Sequence, residues 1–270
     1  MSIDIFQIDA FTNRVFGGNP AAVCPLENWL PDDVLQHIAI ENNLSETAFF
    51  IPLPNGNFHL RWFTPEFEMD LCGHATLASA FVLFEELGYD KDDIFFETQS
   101  GLLSVRKSDQ LLELNFPSRP PQPSELPDII RQGLNIQPVE VWKARDYLLL
   151  YEKEEDIRKI DPNISIINQI NIDPGGIIVT AKADAEDIDF VSRLFTPQAG
   201  IFEDPVTGSA HCTLIPFWAE RFQKNRLTAR QISARVGELF CELQGERVSI
   251  KGMAVKYLSG TIEVPTTLSV

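Results

Sequence analysis

The sequence predicts an α+β fold of two similar domains, each a curved, mostly antiparallel sheet wrapped around a buried central helix. Three observations lead there. Short strand-like segments bounded by turn residues recur along the whole chain. Two nearly all-apolar helix-forming runs, His74 to Leu87 and Ser209 to Phe222, interrupt them; a helix apolar around its whole circumference is buried on all sides. Both runs begin from one local pattern, Asp70-Leu71-Cys72-Gly73-His74-Ala75-Thr76 and Asp204-Pro205-Val206-Thr207-Gly208-Ser209-Ala210-His211. Setting Gly73 on Gly208 places Cys72 over Thr207, His74 over Ser209 and Ala75 over Ala210. The pattern predicts an approximate two-fold, with both helix starts facing one inter-domain cleft that holds the active site.

Taken in order, Ile3 to Phe11 alternates as a strand, Gly17-Gly18-Asn19-Pro20 is a turn, and Ala21 to Leu26 a short apolar strand. Pro31-Asp32-Asp33 opens a helix with Val34, Ile38 and Ile40 on its apolar face. A strand starts at Glu46, and Phe58 to Phe63 alternates, with His59 on its solvent side. The first buried helix follows, then strands at 94–98, 102–105 and 111–116. Residues 117–127 contain five prolines and form the linker. The predicted domains are therefore 1–118 and 119–270, with the C-terminal tail free to return to the first.

The second half restarts with a short helix at 128–134, one or two strands within 139–151 and a helical stretch at 154–170 interrupted at Asp161-Pro162. Strands at 177–180 and 188–194 lead to the second buried helix. Pro216 inside it predicts a bend or a break. Strands at 228–235, 238–243, 247–251 and 261–264 complete the half.

The 270 residues, 44% hydrophobic and 23% charged, describe a globular chain with a real core. A net charge of −17 argues against nucleic acid or an anionic membrane as partner. The start, Met1-Ser2-Ile3-Asp4-Ile5, lacks the pattern of a secretory signal, and no apolar run reaches the roughly 18 residues of a membrane span. Cys24, Cys72, Cys212 and Cys241 are scattered, so free thiols in a reducing cytosol are expected.

A helix N-terminus offers unpaired N–H groups and a positive dipole end, which suit a carboxylate or a developing oxyanion. Gly73 and Gly208 let the backbone approach such a ligand. The plain alternative is ordinary capping, with Ser209 as a cap. Glu46, at the mouth of an apolar strand, is either a solvated strand-end carboxylate or, partly covered by neighbours such as Phe49 and Phe50, an acid–base group. His211 lines the cleft or faces the helix core. A metal set of His74, His211 and Asp204 is set aside, because a third close ligand in a defined spacing is absent.

The two-domain plan resembles the diaminopimelate epimerase superfamily, whose epimerases carry a cysteine before each glycine. Here Cys72 is matched by Thr207, which disfavours two-cysteine epimerisation. Five blocks carry a closer resemblance to the PhzF family of phenazine biosynthesis-like proteins. Asp9-Ala10-Phe11-Thr12 and Gly18-Asn19-Pro20-Ala21-Ala22-Val23 stand near the start. Asn43-Leu44-Ser45-Glu46-Thr47-Ala48-Phe49 and Leu71-Cys72-Gly73-His74-Ala75-Thr76 follow, and Glu203-Asp204-Pro205-Val206-Thr207-Gly208-Ser209-Ala210 is the last.

The resemblance implies Glu46 as the acid–base group, with His74 and Asp204 holding polar groups of the substrate and assisting proton movement. Gly73, Gly208 and Ser209 are implied as binders of the substrate's anion. It further implies a cofactor-free isomerisation of a small carboxylate by a homodimer, with domain closure excluding water; the ligand spacing and the scattered thiols set the separate expectations of no metal and a cytoplasmic location. The alternatives are a racemase or epimerase of a small acid, and a non-catalytic small-acid binder on the same fold.

Overall fold

The computed structural model describes residues 1–172, 175–197 and 201–265. It divides into two compact units, Met1–Asn115 with Lys251–Val270, and Phe116–Ile250.

Unit 1 begins β1 (Ser2–Ala10), β2 (Asn19–Pro25), α1 (Asp32–Asn42), β3 (Glu46–Pro52), β4 (Phe58–Phe63) and β5 (Glu68–Met69). Then come α2 (Gly73–Phe81), a π-helical turn (Val82–Glu86), β6 (Asp93–Thr98), β7 (Gly101–Ser108) and β8 (Leu111–Pro117). Unit 2 holds β9 (Gln122–Pro123), α3 (Asp128–Gly133), β10 (Glu140–Lys143), β11 (Tyr147–Leu150), α4 (Glu154–Lys159), α5 (Ile164–Ile167) and β12 (Ile177–Lys182). It continues through β13 (Phe190–Phe195), β14 (Glu203–Asp204), α6 (Gly208–Phe222), β15 (Arg226–Gln231), β16 (Gly237–Gln244) and β17 (Arg247–Gly252). The last strand, β18 (Ala254–Glu263), returns to unit 1.

The two units repeat one wiring. In unit 1 the strands run β18-β1-β2-β3-β4-β6-β7-β8; the β2/β3 and β4/β6 pairs are parallel and the others antiparallel. In unit 2 they run β9-β10-β11-β12-β13-β15-β16, with β11/β12 and β13/β15 parallel and the rest antiparallel. The short strands β5 and β14 add to β4 and β13, and each leads directly into its unit's long helix. The recurrence reaches side chains. Arg61 grips Glu68 through Nε and Nη2, both at 2.7 Å, and lies 5.1 Å over the Phe63 ring. Arg193 grips Glu203 in the same way and lies 4.9 Å over the Phe195 ring. Both arginines begin an Arg-x-Phe-Thr-Pro sequence, at 61–65 and 193–197.

In unit 1, strand alternation sorts the side chains onto two faces. Ala22, Cys24 and Phe49 pack with Val34, Leu35, Ile38 and Ala39 of α1 in one core cluster. The opposite parity, Asn19, Ala21 and Val23 on β2 with Glu46, Ala48 and Phe50 on β3, therefore faces away from α1. There α2 is approached by β1, β2, β3, β7 and β18, so the sheet curls around it. Eight of its residues, Gly73 to Ala80, are buried. In unit 2, α3, α4 and α5 cover β12 and β13 through Ile130, Ile157, Ile167, Val179 and Val191.

Several expectations are corrected. Ile40 is 46% exposed and lies off the α1 apolar face. Beyond Phe81 the first long helix widens into the π turn, with the Leu87 N–H donating to the Val82 carbonyl at 3.0 Å, and Leu87 itself is exposed. Pro216 does not break α6. A helical proline orphans the carbonyl four residues earlier; here that carbonyl, Cys212 O, accepts the backbone N–H of Arg119 at 2.8 Å. β18 starts at Ala254 instead of 261, because its mostly exposed residues leave no apolar alternation to read. His59 is covered by Trp29, whose indole N–H donates to His59 Nδ1 at 3.1 Å.

Candidate active site

Glu46 opens β3 directly beside Ala21 of β2, on the face turned to α2. His74 is the second residue of α2 and is buried. Its Nε2 lies 3.0 Å from Glu46 Oε2, with the side chains 5% and 14% exposed. Neither atom has a well-aligned hydrogen bond, so the contact is close but bent; catalytic contacts often straighten only with substrate bound. Phe50 shares the face of Glu46, whereas Phe49 points to the α1 side. The expected cover by Phe49 is thus absent, a consequence of period-two alternation.

On the other side of the imidazole, Nδ1 lies 3.2 Å from Asn19 Nδ2 and 3.5 Å from Cys72 Sγ. Ser45 Oγ donates to Asn19 Oδ1 at 3.3 Å. Asn19 is delivered by the Gly17-Gly18 turn. Gly18 has a φ of +60°, and a Cβ there would stand 2.0 Å from the Ala10 carbonyl oxygen. Asp9, buried, accepts the Phe16 N–H at 2.8 Å and so shapes the loop that ends in Asn19.

Burial, the largest influence on His74, lowers its affinity for a proton. The Cys72 sulfur and the Glu46 carboxylate raise it, and with both charged the ring stands well above its usual range. The part from Cys72 requires a thiolate. Burial drives that thiol up, reinforced by the Glu46 carboxylate, so at neutral pH the sulfur keeps its proton and this part of the push is lost.

In unit 2, Thr207 precedes α6 in extended backbone and makes no capping bond. Its hydroxyl donates to Asp204 Oδ2 instead. Gln231 pins the approach, donating to the Asp204 carbonyl at 2.7 Å and accepting the Thr207 N–H at 2.8 Å. Ser209 lies in the first turn and is not a cap; its Oγ accepts from Arg145 Nη2 at 3.2 Å. Arg145 is paired at 3.1 Å with the buried Asp146, which accepts the Gly176 N–H at 2.8 Å. His211 faces the core. Its Nδ1–H donates to the Thr207 carbonyl at 2.8 Å, and burial pushes the ring down to about 4.

Of the predicted site residues, Glu46, Gly73 and His74 stand together in unit 1, while Asp204, Gly208 and Ser209 cluster at the α6 start in unit 2. Sequence reasoning gave no role to Asn19, Ser45, Arg145 or Gln231. Strand parity would have placed Asn19 on the face of Glu46. Among the described residues, Glu46, Cys72 and His74 form a group with potential metal-ligating atoms within 4.8 Å of one another. Cys72 is thus the close third group missing from the considered His74 set. Nδ1 is 3.5 Å from Cys72 Sγ and Nε2 is 3.0 Å from Glu46 Oε2.

The model of the phenazine biosynthesis-like family PhzC-PhzF matches residues 8–260. An uncharacterized isomerase of Pseudomonas aeruginosa is 48% identical, over 98% of this chain and 100% of its own length. The crystal structure of a PhzF-family protein from Enterococcus faecalis is 45% identical and superposes with a TM-score of 0.93 over 97% of this chain and 100% of that one. A hydroxyproline epimerase from Agrobacterium vitis shares the fold at 11% identity, with a TM-score of 0.59 over 97% of this chain and 92% of its own. With a shared wiring and matches over nearly its full length, the chain belongs to the phenazine biosynthesis-like PhzC-PhzF family and is an isomerase within it.

Proposed function

We propose that this isomerase shifts a proton between two carbons of a small carboxylate, using Glu46 as the acid–base group and no cofactor. The Glu46 carboxylate takes a proton from a carbon activated by a neighbouring double bond or carboxyl group. The electron pair moves into the conjugated system, and the same carboxyl returns a proton to a second carbon, so atoms and charge balance. The observation that carries the reading is the 3.0 Å contact between Glu46 Oε2 and His74 Nε2 in a largely buried setting. It ties one carboxylate oxygen and leaves the other for substrate. The helix start at Gly73, with no capping side-chain bond from Cys72, supplies N–H groups for the anion. His74 assists proton movement through its contact with Glu46, and Asp204 with Ser209 holds polar groups of the substrate from unit 2.

The test is deuterium wash-in from D2O, followed by NMR over a panel of small cyclic and amino carboxylates. The expected result is exchange into at least one ligand by the wild type, with at least a hundredfold loss in Glu46→Gln. Wild-type exchange by that variant ends the proposal. Exchange with inversion at a single stereocentre would favour an epimerase instead.

A further inference from the structure

We infer that Asn19 is a positioning residue that fixes the His74 ring as the Nε2–H tautomer and thereby holds Glu46 as the proton acceptor. The inference rests on the proposed acid–base role of Glu46 and adds the group that sets it.

A neutral imidazole carries one N–H, and the other nitrogen accepts. The Asn19 amide faces Nδ1 with its NH2 end at 3.2 Å. An amide nitrogen only donates, so Nδ1 must accept, and the ring's proton sits on Nε2. Nε2 faces Glu46 Oε2 at 3.0 Å in a bent contact, and among the described residues neither of these buried atoms has a well-aligned hydrogen-bond partner. Glu46 Oε2 therefore faces a donor.

The opposite tautomer would turn an N–H toward the Asn19 NH2 and a lone pair toward the carboxylate, leaving two buried repulsive contacts. The amide itself is oriented by Ser45, whose hydroxyl donates to Asn19 Oδ1 at 3.3 Å. Ser45 and Glu46 are consecutive, so the circuit Ser45, Asn19, His74, Glu46 closes on itself through one peptide bond. Cys72 Sγ, 3.5 Å from Nδ1, is a protonated thiol at neutral pH and adds a second, weaker donor to the same nitrogen.

The circuit explains three features of the sequence together. Gly18 is needed for the backbone that delivers Asn19. Asn19 and Glu46 share strand parity on paired strands. Ser45 precedes Glu46 where the chain enters β3. An aspartate at position 19 would have the opposite effect, since its carboxylate only accepts and would call the proton to Nδ1.

The test needs no substrate. Two-bond 1H–15N correlation spectra of histidine-labelled protein at neutral pH resolve the protonation of each nitrogen in the four rings, and His74→Gln assigns the signal. The wild type is expected to show Nε2 protonated and Nδ1 as an acceptor. Asn19→Asp is expected to shift the tautomer ratio at least tenfold toward Nδ1–H, or to protonate both nitrogens. Ser45→Ala, a milder change that leaves Asn19 in place, is expected to mix the tautomers. A wild-type ring with Nδ1 protonated overturns the inference, and so does an unchanged Nε2–H tautomer in folded Asn19→Asp. If Asn19→Asp does not fold, an unchanged Ser45→Ala spectrum overturns it. Absence of isomerase activity on every carboxylate tried would sink the proposed reaction while leaving the ring's tautomer as measured.

Discussion

Arg193 grips Glu203 through two hydrogen bonds, Nε to Oε1 at 2.7 Å and Nη2 to Oε2 at 2.9 Å. Its Nη1 also reaches the Ile157 and Ile160 carbonyls at 3.0 and 2.7 Å. The pair is mostly buried, at 13% and 25% exposure, so removing the cation strands a carboxylate and two carbonyls. Arg193→Met should lower stability by roughly 1–3 kcal/mol in urea unfolding. It should also loosen Asp204, the next residue. Lys159→Met, in an exposed pair, should leave stability unchanged.

Arg145 stands between the buried Asp146 and Ser209. Arg145→Ala leaves that carboxylate with the Gly176 N–H and should cost about 1–3 kcal/mol. Ser209→Ala breaks the same contact without stranding a charge. It should lower stability by less than about 1 kcal/mol and raise KM for a carboxylate substrate more than it lowers kcat. Equal losses of stability in the two variants would contradict this reading.

His211 supplies an acid-sensitive term in stability. Its folded value of about 4 lies below the ordinary 6.5, so the unfolded chain binds the proton first. The stabilising contribution is complete above pH 6.5 and fades as pH falls toward 4. At full extent it reaches about 3 kcal/mol. Denaturation curves from pH 7 to 4 should fall less steeply for His211→Gln than for wild type.

Gly18→Ala should be among the most damaging single changes in unit 1. The positive φ of +60° and the 2.0 Å approach to the Ala10 carbonyl leave no room for a methyl group. We expect a loss of roughly 2–4 kcal/mol. Survivors should show the mixed His74 tautomers expected of a misplaced Asn19.

The four thiols are buried, and burial drives Cys24, Cys72 and Cys241 up and Cys212 to about 11. Native protein at pH 8 should react with a disulfide reagent far more slowly than protein in guanidinium, which should titrate all four cysteines. Rapid reaction of Cys72 in the native state would contradict its placement as a protonated thiol.

The fold was legible where apolar periodicity is strong. The two glycine-led helices and most strands stand where the pattern puts them, because buried faces write themselves into sequence. β18 was read short, because its exposed residues bear no such imprint. That Pro216 leaves α6 unbroken was not legible, because its orphaned carbonyl is met by a residue almost a hundred positions away, which no local rule sees. At the site, Glu46 and His74 were legible through family motifs. Asn19 sat inside a quoted motif without a role, since its meaning depends on which face of β2 it occupies. The paired Arg-x-Phe-Thr-Pro segments were in plain view. They announce the duplication more directly than the glycine pattern, yet they act by gripping a glutamate across a turn, which spacing alone does not suggest.

The return of β18 to β1 sets an order of events during synthesis. The Met1 amino group donates to the Val264 carbonyl at 2.6 Å across 263 positions, and β18 pairs along the whole of β1. Residues 116–250 are contiguous, so unit 2 has its own strands as soon as they leave the ribosome. Residues 1–115 are made before unit 2, yet unit 1 lacks an edge strand until β18, residues 254–263, emerges, and β1 meanwhile presents unpaired backbone to any passing strand. A nascent-chain experiment would therefore find the second-made half protected from protease before the first. A chain stopped at residue 250 would leave its amino-terminal half prone to aggregate, however sound the remaining sequence.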